Sequence, residues 1–285
     1  MKDYSLGLYE KAMPSGMSFK EMLHMTARCG FDRMEISVDE SDGRLSRLDW
    51  TQNQINELGI LSNDLGVPIK TMCLSGHRRF PFGSHNPKIR ERSMDIMKKA
   101  VDFSAKIGVA IIQLAGYDVY YEDADDTTVA FFEENLALAT AYAAKTGVIL
   151  AFETMETPFM DTVTKAMKYV EKINSPYLGV YPDIGNLKNA AVLYSSDLIE
   201  DIKTGNGHTF AAHLKETQPG VYRDMNFGTG HTEYAPCIET LWNMGVRMFT
   251  GEFWYDGKRD AEQVITSASA FLREKIEQAT ETVSS

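Results

Sequence analysis

The stretch Gly108-Val109-Ala110-Ile111-Ile112-Gln113-Leu114-Ala115 decides the fold. It sets a glycine directly before a short, almost uninterrupted apolar run. A glycine just past a helix end adopts the left-handed conformation that closes the last turn. An apolar run of this length suits a parallel strand buried on both faces. The same pairing recurs at Gly30-Phe31, Gly66-Val67, Gly147-Val148 and Gly245-Val246. In chain order the first four of these glycines are 36, 42 and 39 residues apart. A strand, a loop, a helix and a return loop fill about that length, so the repeat reads as a βα unit.

Eight such units fit, with strands over about 5–10, 33–38, 68–75, 109–116, 148–155, 178–184, 210–216 and 247–254. The fold class is therefore α/β, a (β/α)8 TIM barrel, as a single domain over residues 1–285. Helix starts support the layout. Ser18 with Glu21 and Thr51 with Gln54 have the spacing of capping boxes. Asn86-Pro87 sets a capping residue before a proline at the first helical position of a helix over about 87–107. No Pro/Gly/Ser linker interrupts the chain. The tail after about Gln278, Ala-Thr-Glu-Thr-Val-Ser-Ser, reads as frayed. Two long loops, 75–86 and 217–234, follow the third and seventh strands, on the face where such barrels carry their active sites.

Composition narrows the function. With 29 Lys and Arg against 40 Asp and Glu, the formal charge is −11. A surface that acidic repels nucleic-acid backbone and anionic lipid. No window approaches the roughly 20 apolar residues of a membrane span. The opening Met1-Lys2-Asp3-Tyr4-Ser5 lacks the apolar core of a signal peptide. Cys29, Cys73 and Cys237 are odd in number and widely spaced, so they read as packing residues in a reducing compartment. The expectation is a cytoplasmic protein that acts on a small molecule, with no nucleic-acid or membrane partner.

Four consecutive strands end in a ligand-type residue: Ile149-Leu150-Ala151-Phe152-Glu153, Gly179-Val180-Tyr181-Pro182-Asp183, Phe210-Ala211-Ala212-His213 and Met248-Phe249-Thr250-Gly251-Glu252. Each alone has a plain structural explanation: a salt-bridged strand end, a cap before a loop, a hydrogen-bonded core histidine. Together they converge, because consecutive strands are neighbours in a barrel. A carboxylate buried in an apolar strand costs several kcal/mol unless it is paired or bound to a cation. Glu153, Asp183, His213 and Glu252 thus read as one divalent-metal site. Three oxygen donors and one imidazole suit Mn²⁺, Co²⁺, Mg²⁺ or Zn²⁺ and not a structural thiolate zinc site.

Longer strings carry a resemblance: Leu8-Tyr9-Glu10-Lys11-Ala12, Ser37-Val38-Asp39-Glu40, Arg44 to Trp50, Met72-Cys73-Leu74-Ser75, His77-Arg78-Arg79-Phe80-Pro81, Gln113 to Tyr121, Tyr181 to Asn186 and Pro219-Gly220-Val221. Over essentially its whole length the chain resembles the L-xylulose/L-ribulose-5-phosphate 3-epimerases of L-ascorbate catabolism, within the xylose-isomerase-like barrels. The resemblance implies an isomerase, specifically a metal-dependent carbohydrate-phosphate 3-epimerase, that is a homodimer. It further implies that Glu153 and Glu252 both bind metal and move the proton.

The chemistry of the residues agrees. A proton beside a ketose carbonyl is weakly acidic, and a metal acting as Lewis acid and template stabilises the enediolate. Two carboxylates on opposite faces of that carbon remove the proton from one side and return one to the other. For the substrate, a ketose phosphate, the candidate binding residues are Lys11, Ser75, His77, Arg78, Tyr117, Asn186 and Lys215. Cations and helix N-termini suit the phosphate; Asn186 suits a hydroxyl, and Tyr117 a pocket wall. An aldose–ketose isomerase of a phosphosugar, like hexulose-6-phosphate isomerase, shares the enediolate and the ligand set. A DNA-repair nuclease like endonuclease IV would need a histidine-rich multi-metal cluster, whereas only His213 among the six histidines ends a barrel strand.

Overall fold

The computed structural model of the protein describes residues 3–284. Met1 and Lys2, in the stretch read as lacking a signal core, and Ser285, in the stretch read as a frayed tail, lie outside the described residues. Among the described residues eight strands are present: β1 Ser5–Tyr9, β2 Arg33–Ser37, β3 Ile69–Leu74, β4 Ile111–Ala115, β5 Ile149–Glu153, β6 Leu178–Tyr181, β7 Ala212–Leu214 and β8 Met248–Gly251. Ten described α-helices surround them: α1 Phe19–Arg28, α2 Asp42–Leu45, α3 Gln52–Asp64, α4 Pro87–Ile107, α5 Asp126–Ala144, α6 Val163–Ile173, α7 Ile184–Tyr194, α8 Leu198–Lys203, α9 Tyr234–Asn243 and α10 Ala261–Ser284. All the strand pairings are parallel, in the order β6-β5-β4-β3-β2-β1-β8-β7. The expected barrel is the observed one.

Local sequence explains the helix ends. Ser18 and Thr51 each form the full capping box with Glu21 and Gln54. The Asn86 side chain accepts from the Lys88 amide ahead of α4, with Pro87 in the first turn. Gly108 closes that helix at φ 85°, a conformation that a side chain at this position would strain.

Most strand ends fall one to three residues inside the expected limits. β6, expected to reach 184, and β8, expected to reach 254, each end three residues early, and β7, expected over 210–216, loses two residues at each end. Pro182 has no amide hydrogen, so the regular ladder cannot run through it. The seam between β6 and β7 closes instead through isolated bridges. Val180 N donates to His208 O at 2.8 Å, Phe210 N to Val180 O at 3.1 Å, and His213 N to Pro182 O at 2.9 Å. Gly179 permits the approach, since a Cβ there would stand 2.3 Å from His208 O. The tail is also a correction: the chain after Gln278 continues α10. Leu272, Ile276 and Ala279 recur at helical spacing and are buried, so the apolar stripe holds the helix against the barrel as far as Ala279.

Strand residues alternate between two environments. Leu6, Leu8, Met34, Ile36, Met72, Leu74, Ile112, Leu114, Leu150 and Phe152 belong to the main apolar core with the helices. The alternate residues point inward and are largely polar: Arg33, Glu35, Thr71, Gln113, Tyr181, His213 and Thr250, all buried. Arg33 crosses this interior. It donates to Thr71 Oγ1 at 3.0 Å, Phe249 O at 2.9 Å and Thr250 Oγ1 at 2.8 Å. Gly7 makes room for it, because a Cβ there would lie 2.4 Å from Arg33 Nη1.

Gly7→Ala should therefore displace a hydrogen-bonded buried guanidinium and cost roughly 1–3 kcal/mol by urea unfolding. Gly43→Ala, in α2 where the added methyl meets nothing within 4 Å, serves as the control and should be neutral or stabilising by up to about 1 kcal/mol. Equal stabilities for the two variants would contradict this account of the interior.

Candidate metal centre

β5, β7 and β8 deliver Glu153, His213 and Glu252 at or beside their C-terminal ends, and the Pro182 turn after β6 delivers Asp183. Asp183 also caps α7, accepting from the Asn186 amide at 2.8 Å. One donor atom from each of the four lies within 4.8 Å of all the others, and every one is buried. Among the described residues this is the one such group of His, Cys, Asp or Glu. His213 Nδ1 faces the carboxylates, 3.3 Å from Glu153 Oε1, 3.5 Å from Glu252 Oε2 and 3.9 Å from Asp183 Oδ2. On the far side of the ring, Nε2 lies 2.6 Å from Glu35 Oε1.

The electrostatics fit a cation. Four carboxylates (Glu35, Glu153, Asp183, Glu252) are buried here against two buried cations, Arg33 and Lys215. A divalent ion beside a neutral imidazole balances that set. Lys215 Nζ lies 2.9 Å from Asp183 Oδ2 and 3.1 Å from Glu252 Oε2. Neither oxygen gains an aligned hydrogen bond from it, and both stay without a directed donor. Burial pushes the Asp183 carboxyl up to about 7, with Lys215 opposing and Glu252 adding to the rise. Burial and the Glu252 charge also raise Glu153. For Glu252 burial acts in the same direction, but Lys215 and His213 outweigh it and hold the carboxyl low. Burial lowers His213, yet Glu35 and Glu252 raise it well above the usual imidazole range. Burial is thus the first cause of the raised Asp183 and Glu153, while the surrounding carboxylates raise the imidazole. Buried oxygens without donors and this donor set are what a hard or borderline divalent ion needs.

Above the ligands a space of about 40 Å³ opens, lined by Lys11, Ser75, Arg78, Asn186 and Lys215 together with Tyr9, Cys73, Glu156, Tyr222, Arg223 and Trp254. Lys11 pairs with Asp39 at 2.7 Å. Arg78 donates to the Tyr117 hydroxyl at 3.2 Å and lies 3.9 Å from Glu156. Tyr117 is thus a prop for Arg78, and it also donates to Glu156. The Asn186 amide nitrogen donates to Thr154 O at 2.8 Å, while its Oδ1 is buried without a partner. Lys215, expected at the phosphate, lies among the metal-type ligands. A larger cavity of about 350 Å³ shares Trp254 with the mouth but touches none of the four ligands, so donor chemistry and not volume marks the site.

His77 departs from its expected place. It lies under the loop, against the Phe82 ring at 4.5 Å, with Nε2 donating to Ser93 O at 3.2 Å. Aromatic packing, not a ligand, takes up its ring. Arg79 likewise turns to Asp42 at 2.8 Å on the surface. Sequence reasoning missed Glu35, Glu156, Arg223 and Trp254. For Glu35 a signal existed: Arg33-Met34-Glu35 puts two charges on one face of a strand that should be apolar throughout.

The family model described as xylose isomerase-like TIM barrel matches residues 23–275. The L-ribulose-5-phosphate 3-epimerase UlaE of Escherichia coli (strain SMS-3-5 / SECEC) is 38% identical over 279 residues, covering 98% of this chain and 97% of that one. The chain belongs to the L-ribulose-5-phosphate 3-epimerase family. Solved structures agree on the fold at low identity. An L-ribulose 3-epimerase superposes at TM-score 0.77 and 15% identity, covering 99% of this chain and 97% of that one. D-psicose 3-epimerase from Clostridium cellulolyticum H10 does so at 0.79 and 16%, covering 95% and 99%. For this epimerase-family chain, no described helix is long and apolar enough to cross a membrane, and all three cysteines are free and buried.

The buried His77 yields a stability prediction. Burial pushes its pKa down from 6.5 to about 4. Between those values the unfolded chain takes up a proton that the native one refuses, so the native state loses stability as pH falls through that window. At about 1.4 kcal/mol per unit the loss is about 3 kcal/mol. His77→Gln keeps a donor for Ser93 O and does not titrate. Its unfolding free energy should fall by about that much less than the wild type's between pH 6.5 and 4. Parallel pH profiles would show that His77 titrates freely.

Proposed function

We propose that this chain interconverts L-xylulose 5-phosphate and L-ribulose 5-phosphate by inverting C3, with a divalent metal bound at Glu153, Asp183, His213 and Glu252. The observation that carries the reading is the pair Glu153 and Glu252. They belong to one buried group of metal-type side chains, and they come from β5 and β8, which flank β6 and β7 with Asp183 and His213 between them. Two carboxylates set on either side of one site suit removal of a proton from one face and its return to the other.

A divalent ion in this site would supply Lewis-acid stabilisation of the negative charge that develops on the ketose oxygens. The two glutamates do the rest. One carboxylate takes the C3 proton from one face, and the other, protonated, delivers a proton to the opposite face. In the reverse direction the roles exchange. Lys215 brings a second positive charge to the reacting oxygens. Lys11 and Arg78 bind the phosphate at the rim, and Ser75 and Asn186 take hydroxyls. Tyr117 holds Arg78 in place. Arg223, whose guanidinium covers Trp254 at 5.3 Å, lines the mouth through which the substrate enters. A cytoplasmic homodimer completes the reading, and sedimentation equilibrium decides between a pair of chains and one.

Incubation with L-xylulose 5-phosphate and Mn²⁺ in D₂O should give L-ribulose 5-phosphate with deuterium at C3. An aldopentose phosphate as product would replace this reading with aldose–ketose isomerisation. Glu153→Gln and Glu252→Gln should each lower epimerisation by roughly 10²-fold or more, while each still exchanges the C3 proton of only one of the two epimers. Full activity in either variant would remove that glutamate from the proton path. Arg78→Ala should raise KM for the ketose phosphate far more than for the free ketose. An equal rise for both would show that Arg78 does not read the phosphate.

A further inference from the structure

Below the ligands, β2 carries two charged side chains, Arg33 and Glu35, that are buried and absent from the mouth. Neither can meet a substrate there. Glu35 instead reaches across the barrel from β2 to β7, where its Oε1 stands 2.6 Å from His213 Nε2. Its other oxygen accepts from the Tyr181 hydroxyl at 2.8 Å. That hydroxyl is also 2.8 Å from Thr250 Oγ1, and Thr250 accepts from Arg33 at 2.8 Å. A chain of polar contacts through three strands therefore fixes where the Glu35 carboxylate points.

An imidazole that binds a metal through one nitrogen carries its proton on the other, and the partner of that other nitrogen sets the tautomer. We propose that Glu35 is a positioning residue: it accepts the Nε2 proton of His213 and so presents the unprotonated Nδ1 to the metal. The Gln113 side-chain nitrogen stands 3.1 Å from Nδ1 and 3.3 Å from Nε2, so it selects neither. Glu35 alone makes a short contact to one ring nitrogen. A carboxylate acceptor also raises the basicity of the opposite nitrogen, which tightens metal binding. This inference rests on the reading that a divalent cation occupies the four-residue site.

The test starts from the wild-type protein loaded with Zn²⁺. Long-range ¹H–¹⁵N correlation of the imidazoles, with His213 assigned by its loss in His213→Gln, should show the proton on Nε2 and the metal on Nδ1. Glu35→Gln keeps the shape and an acceptor oxygen but loses the charge. Its Zn²⁺ affinity, by chelator competition, should fall about 10–100-fold, while the metal-free variant unfolds cooperatively. If the wild type binds no divalent cation, the metal reading fails and this inference with it. If it binds Zn²⁺ through Nε2, or if the folded Glu35→Gln variant binds as tightly as the wild type, the Glu35 assignment alone is overturned. Should the variant not fold, the wild-type tautomer still decides.

Discussion

Negative charge held inside a barrel with too few cations to match is the constraint on which this structure turns. Glu35, Glu153, Asp183 and Glu252 are all buried. In a low-dielectric interior each unpaired carboxylate costs several kcal/mol. The interior answers with Arg33 from below and Lys215 from above. The charge still left over is what the donor set presents to a divalent ion. Burial raises the Asp183 and Glu153 carboxyls, and the carboxylates around it raise the His213 imidazole.

The barrel's irregularities serve that arrangement. A glycine in β1 lets the Arg33 guanidinium cross the axis. Pro182 interrupts the β6–β7 ladder just before Asp183, and Gly179 lets the two strands meet without it. Asp183 is thereby freed from strand geometry. One of its oxygens caps α7, and the other turns toward the ligands. The donors are tied to strand ends and to a helix N-terminus, while the cover at Arg223 and Trp254 sits on loops.

Much of this was legible in the chain. The recurring glycine and apolar run set the βα period, because a left-handed cap and a doubly buried strand each leave a local composition. The convergence of Glu153, Asp183, His213 and Glu252 was legible because consecutive strands of a parallel barrel are neighbours, so sequence order translates into spatial order. The capping boxes at Ser18 and Thr51 depend on a spacing of three residues and nothing else.

Contacts between distant strands were another matter. Sequence order cannot tell that Glu35 of β2 meets His213 of β7, 178 residues away, because they face each other across the barrel and not along its wall. Nor can it tell which loop cations face the mouth. Arg78 was held there by Tyr117 and Glu156, while His77, one residue before it, was turned under Phe82 by aromatic packing. By itself the sequence determined the period, the strand order and the convergence of four metal-type side chains, all of which follow from local pattern and nearest-neighbour topology. The tertiary structure decided the charge balance, the partner of His213 and the direction of each loop side chain, since those depend on groups that only the closed barrel brings within a few ångströms of one another.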